Sequence, residues 1–211
     1  MKLVLFCLAL GVLPALGETR AAPPVPITLY TQFQQQPPPA VLEALQAELE
    51  SIMAPIGLRF EWRNLNGSHS EEPSVELAVV TVKGRCDTAG LVPKSKAEGA
   101  LGITHMSDGQ ILPFTEISCD KVRNFVQVEL LQMTGADREP AFGRALGRVL
   151  AHELYHIFAN TVHHGSGVAK EAYTTFDLTC DDFQFPHKES EMLRAGRVHA
   201  TVETAAPPGS M

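Results

Sequence analysis

Past its first residues the chain has no apolar run long enough to cross a bilayer. It also lacks a basic cluster: 17 Lys and Arg stand against 24 Asp and Glu, and the net charge of −7 is spread along the sequence. Nucleic acid and anionic membrane surfaces are therefore poor partners. No segment repeats, which sets aside solenoid architectures. Charged residues make up only 19% and hydrophobic residues 45%, the proportions of an ordinary folded domain and not of a disordered chain.

The one apolar run, Leu3 to Leu13, follows a single lysine, is ended by Pro14 and is followed by the small residues Ala15 and Gly17. That is the layout of a signal peptide over residues 1–17. Cys7 follows Phe6 inside the apolar core, so there is no lipoprotein-type junction. The expectation is a soluble protein without a membrane anchor, secreted or periplasmic. Residues 24–196 suit one domain, and the polar stretch 197–211 reads as a disordered tail.

The elements predict an α+β fold. Val25–Phe33 reads as a strand, and Leu42, Leu45, Leu49, Ile52 and Met53 then recur at helical spacing until Pro55 and Gly57. LRFEWRNL and VELAVVTV read as strands around a polar loop containing His69, Glu71 and Glu72. ALGITHMSDGQILPFTEISC reads as a hairpin turning at Asp108-Gly109. Asp120 is placed to cap the helix KVRNFVQVELLQM. A longer helix runs from Pro140 to about Ala159, with Leu146, Leu150, Leu154 and Phe158 on one stripe. A short helix is expected around Glu189–Ala195. Without the leader, Cys86, Cys119 and Cys180 remain, and an exported chain tends to pair two of three. Cys86 and Cys119 both lie at predicted strand ends, which favours their bridge; a pairing through Cys180 is the alternative.

Four of the eight histidines fall between Ala151 and Gly165, in AHELYHIFANTVHHG. On a helix, positions four apart lie about 40° apart around the axis and about 6 Å along it, so His152 and His156 can ligate one metal. Glu153 is turned about 100° from His152, placed to hydrogen-bond a water on the metal as general base. Imidazole donors favour one Zn2+ per chain.

HELYH with a following loop histidine, behind a strand-helix-strand-strand-strand lobe, resembles the metzincin zinc metallopeptidases, more narrowly their small exported bacterial relatives. The resemblance covers Pro26 to about Lys170. It implies a mixed twisted sheet, a first helix, an active-site helix and a small irregular C-terminal lobe. It further implies zinc on the two helix histidines and a third from the loop, Glu153 polarising water, and a peptide or protein substrate. By the same analogy the strand around Ile111–Ser118 supplies the sheet edge for an extended peptide. The chain departs from the family pattern at Ala159, where the family has glycine, at Val162, where it has the third histidine, and in having no methionine shortly after the motif.

The third ligand is then His164, with His163 the close alternative. If the helix stops at Asn160 and the chain continues extended, burying Val162 would aim His164 inward; a tight turn at Thr161 would favour His163. Two other arrangements remain open. A closed structural site would add Cys180 to three histidines, and a thermolysin-like site would take Glu171 or Glu189 as third ligand. Tyr155 and Tyr173 read as packing.

Overall fold

A computed structural model of the chain describes residues 26–67, 76–92 and 99–205, the side chains of 197–205 excepted. The expected signal peptide, the loop with His69, Glu71 and Glu72, and residues 206–211 of the expected tail lie outside the described residues.

Side-chain alternation builds a mixed sheet, mostly parallel. Its strands are β1 (Ile27–Phe33), β2 (Phe60–Asn64), β3 (Leu77–Lys83), β4 (Gly102–Ser107) and β5 (Gln110–Ser118), in the spatial order β2-β1-β3-β5-β4. The first three neighbouring pairs are parallel, and only β4 against β5 is antiparallel. In β3 the residues Ala78, Val80 and Val82 are buried while Val79 and Thr81 between them are half-buried. One face of the sheet thus meets the helices, as period-two patterning requires. The strand expected to be the sheet edge is not one. β5 is internal, held on one side by β3 through Phe114–Ser118 and on the other by β4. The edge is β4, because the two-residue Asp108-Gly109 turn folds it back along the outside of β5.

Among the described residues the sheet is accompanied by five α-helices: α1 (Pro39–Met53), α2 (Cys119–Gln132), α3 (Gly135–Phe158), α4 (Thr175–Thr179) and α5 (His187–Ala205). Pro39 starts α1, where a missing N–H costs nothing. The cap of α2 is Ser118, whose hydroxyl accepts from Lys121 N, and Asp120 lies inside the first turn instead. α3 begins five residues before the expected start. Pro140 lacks only one intrahelical bond near the N-terminus, and residues 135–139 supply the turn ahead of it. α5 continues to Ala205, into the stretch expected to be tail.

Helix α3 is the axle of the molecule. Leu146, Leu150 and Leu154 are nearly inaccessible, and so are Val149, Ala151 and Tyr155 on its other sides. From Ala145 to His156 every residue of the helix is buried, so this stretch is enclosed on all sides. α1 closes on it because Gly143 and Gly147 leave no room for more: a Cβ there would stand 2.4 Å from Val41 O and 2.8 Å from Leu45 O. One charge is sealed into this contact. Arg148, with no exposed side-chain surface, is 2.6 Å from Glu48 of α1 and donates to the carbonyls of Asp177 and Cys180, so its charge and donors are met.

Cys86 and Cys119 form a disulfide with Cα atoms 5.0 Å apart. It ties the loop after β3 to the start of α2 and closes 33 residues, for which the chain-entropy model gives about 3 to 4 kcal/mol. Cys180 is free.

Candidate metal centre

The last turns of α3 carry His152, Glu153 and His156, and the way the helix ends decides what meets them. Ala159 is the C-cap and Asn160 takes the left-handed conformation at φ 45°. Thr161 N then bonds His156 O and Asn160 N bonds Ile157 O, the paired bonds of a Schellman stop with asparagine in the glycine position. The exit returns the loop over the helix end. Thr161 is buried and Val162 is 51% exposed, the reverse of the burial pattern expected from the sequence. His163 N bonds Thr161 Oγ1, a local turn and not an extended run.

This loop brings His164 to the two helix histidines. One ring nitrogen from each of His152, His156 and His164 lies within 4.8 Å of the others, and His163 is not in the group. The His164 ring stacks on His152 at 5.3 Å between centroids and stands edge-on to His156 at 5.0 Å.

Hydrogen bonds fix the state of the two buried rings. His152 Nδ1 is 2.9 Å from Val168 O, and His156 Nδ1 is 2.7 Å from Thr161 O. A carbonyl only accepts, so each Nδ1 carries the proton and each Nε2 presents a lone pair. Those two Nε2 atoms are 3.1 Å apart. Two facing lone pairs repel, and a cation between them turns repulsion into ligation. A tetrahedral ion held by imidazoles at about 2.0–2.1 Å keeps its donors about 3.3 Å apart. The residues present therefore fit a metal ion.

Glu153 is outside this group of three, but its carboxylate lines the same cleft. Strand β4 holds it. Thr104 Oγ1 is 2.7 Å from Glu153 Oε2, and a Cβ at Gly102 would stand 2.7 Å from Oε1. The cleft has a volume of about 630 Å³ and is mostly apolar, with Leu101, Ile103, Phe125, Val149 and Val162 among its walls.

The other residues singled out in the sequence fall elsewhere. Cys180 Sγ is 3.3 Å from Arg148 Nη1 and is not among the grouped side chains, so the four-ligand site with cysteine does not form. Glu171 lines the cleft mouth and Glu189 turns toward the loop backbone, neither of them in the group. Tyr155 packs against Phe185 and reaches Met192. Tyr173 does more than pack: its hydroxyl donates to Val168 O, the carbonyl that orients His152. Neither that carbonyl nor the fit of Gly102 around Glu153 has a sequence signal, because both depend on contacts across the fold.

Burial sets the acid–base character of these groups. It pushes Glu153 up to about 7, against the opposing Thr104 hydrogen bonds. It pushes His152 down to about 4 and also lowers His156, keeping both rings in the unprotonated state that ligation needs. For Glu153 the folded value lies above the ordinary 4.5, so its contribution to stability is full below pH 4.5 and is lost as pH rises through 7. Glu153→Gln removes that loss. In urea unfolding of the metal-free proteins, the variant should exceed the parent at pH 8 by on the order of 3 kcal/mol, with the gap closing below pH 4.5. A gap independent of pH would contradict the buried, raised carboxyl.

No family model matches the chain, and no curated protein matches it in sequence. The chain is a mixed α+β protein with a three-histidine group able to hold a metal ion.

Proposed function

We propose that the protein is an exported zinc-dependent peptidase of the metzincin kind, with His152, His156 and His164 as zinc ligands and Glu153 as general base. The observation that carries this reading is the pairing of two unlike groups in one cleft. Three imidazoles are positioned for a cation, and beside them is a buried carboxylate that does not belong to their set. A zinc ion held by three protein ligands supplies Lewis acidity, polarising a substrate carbonyl and lowering the pKa of water to about 7.

The chain's own groups do the rest. His152 and His156 keep their Nδ1 protons on Val168 O and Thr161 O, which holds each Nε2 toward the ion. Glu153 takes a proton from the attacking water at its carboxylate and passes it to the departing amine. Thr104 steadies that carboxylate from the edge strand. The outer side of β4, unpaired among the described residues, suits an extended peptide added as a further strand, with the exposed Ile103 and Met106 at the cleft wall. The expected leader fits a substrate met outside the cytoplasm.

The test is cleavage of unstructured peptides by protein loaded with one zinc per chain, followed by mass spectrometry. Cleavage that stops on chelation and returns with zinc is expected. Zinc-loaded protein that leaves a diverse peptide pool intact would overturn the peptidase reading while leaving the metal centre standing.

A further inference from the structure

All three candidate ligands depend on one loop. Thr161 O orients His156, Val168 O orients His152, and His164 stands on the loop between them. The Schellman stop fixes the loop's first residues, and the C-terminal segment fixes its last. Val168 N donates to Gln184 O, and a Cβ on Gly167 would stand 2.2 Å from that oxygen. Between these points, Ser166 N donates to Glu189 Oε1 at 3.3 Å, and a Cβ on Gly165 would stand 2.0 Å from the same oxygen.

Glu189 is an unusual residue to find there. It is 4% exposed, and its second carboxylate oxygen, Oε2, is buried without a hydrogen-bond partner among the described residues. A buried carboxylate left half-satisfied costs stability, and an apolar side chain would fill the same space without that cost. Its place in the first turn of α5 offsets part of the cost through the helix dipole. What an apolar side chain does not offer is the acceptor for Ser166 N.

We propose that Glu189 is a positioning residue for the metal centre. From α5 it grips the backbone at Gly165–Ser166, immediately after His164, and so holds that imidazole against the two on α3. Gly165 is the counterpart of the grip, since any side chain there would push the carboxylate away. The inference rests on the three histidines binding zinc.

The experiment measures zinc affinity by competition with a chromophoric chelator for the parent, Glu189→Leu, Glu189→Gln and Gly165→Ala. The visible absorption of the Co2+-loaded proteins reports ligand geometry, and metal-free melting reports fold. Loss of an outer hydrogen-bond partner of a metal site typically costs about ten- to a hundredfold in affinity. Glu189→Leu and Gly165→Ala should each show a loss in that range and an altered cobalt spectrum. Glu189→Gln, whose amide oxygen accepts the same N–H, should stay within about threefold of the parent by the same reasoning. Parent-like affinity in Gly165→Ala, or in a folded Glu189→Leu, overturns the proposal. Equal loss in Glu189→Gln and Glu189→Leu also overturns it, because the accepted bond is then not what matters. If Glu189→Leu does not fold, the contrast between Glu189→Gln and Gly165→Ala decides alone. A parent that takes up no zinc overturns the site itself, an outcome distinct from a zinc-binding parent with unaffected variants.

Discussion

Alanine in place of His152, His156 or His164 should each lower zinc affinity by more than about a hundredfold, while His163→Ala should stay within about twofold. The estimate follows from hierarchy. Removing a partner that merely orients a ligand costs up to about a hundredfold, and these substitutions remove the donor itself. His163 and His164 are adjacent, and composition or simple motif matching would treat them alike. The fold separates them, because only His164 has a ring nitrogen in the group with His152 and His156. His163 instead takes part through its backbone N–H, bonded to Thr161 Oγ1. The measurement is competitive zinc titration at pH 7.5, where burial keeps His152 and His156 unprotonated and proton competition does not blur the comparison. A loss confined to His163→Ala would put the wrong histidine on the metal. Unchanged affinity in all four variants would remove the metal centre.

How the two helix histidines were readable in the sequence, and the rest of the site less so, follows from the range of the interactions. His152 and His156 share a face through helix geometry alone, and the Asp108-Gly109 turn announces its hairpin within two residues. Asn160 could be foreseen as the helix stop because asparagine tolerates the left-handed conformation. Beyond it, local reasoning reached His164 through a burial pattern the structure reverses. Thr161 goes inward because its carbonyl serves His156, and Val162 stays out at the cleft wall. The place of a strand within the sheet is also non-local. β5 looked like an edge, and only its pairing with β3, 35 residues earlier in the chain (Val79 with Phe114), makes it internal. Arg148 and Glu48 are 100 residues apart, so a buried ion pair between α1 and α3 is invisible to any window read along the chain. Glu189, weighed as a ligand because it is an acid downstream of the motif, lies at the loop's back instead.

The largest effect on catalysis should come from Glu153→Gln: a fall in kcat of about 10² to 10⁴-fold, the usual worth of a general base, with zinc affinity and KM little changed. The zinc should stay because Glu153 is not one of the three grouped side chains. The carboxamide keeps the outline of the carboxylate, so it fits the space left by Gly102 and stays in reach of Thr104. Metal-free melting of the variant tells a lost base from a lost fold, and because burial raises the Glu153 carboxyl to about 7, the variant should melt no lower than the parent at alkaline pH. Glu153→Asp separates basicity from position. It keeps the charge but withdraws the carboxylate by one methylene, and a misplacement of about 1 Å can cost about 10²-fold. Kinetics of zinc-loaded parent and variants on one cleaved peptide, with metal content measured in each, read all of these at once. Zinc lost from Glu153→Gln would make Glu153 a ligand. Parent-like kcat in Glu153→Gln with zinc retained would remove its role as base, and an Asp variant as fast as the parent would show that Thr104 and Gly102 do not hold the carboxylate to a required position.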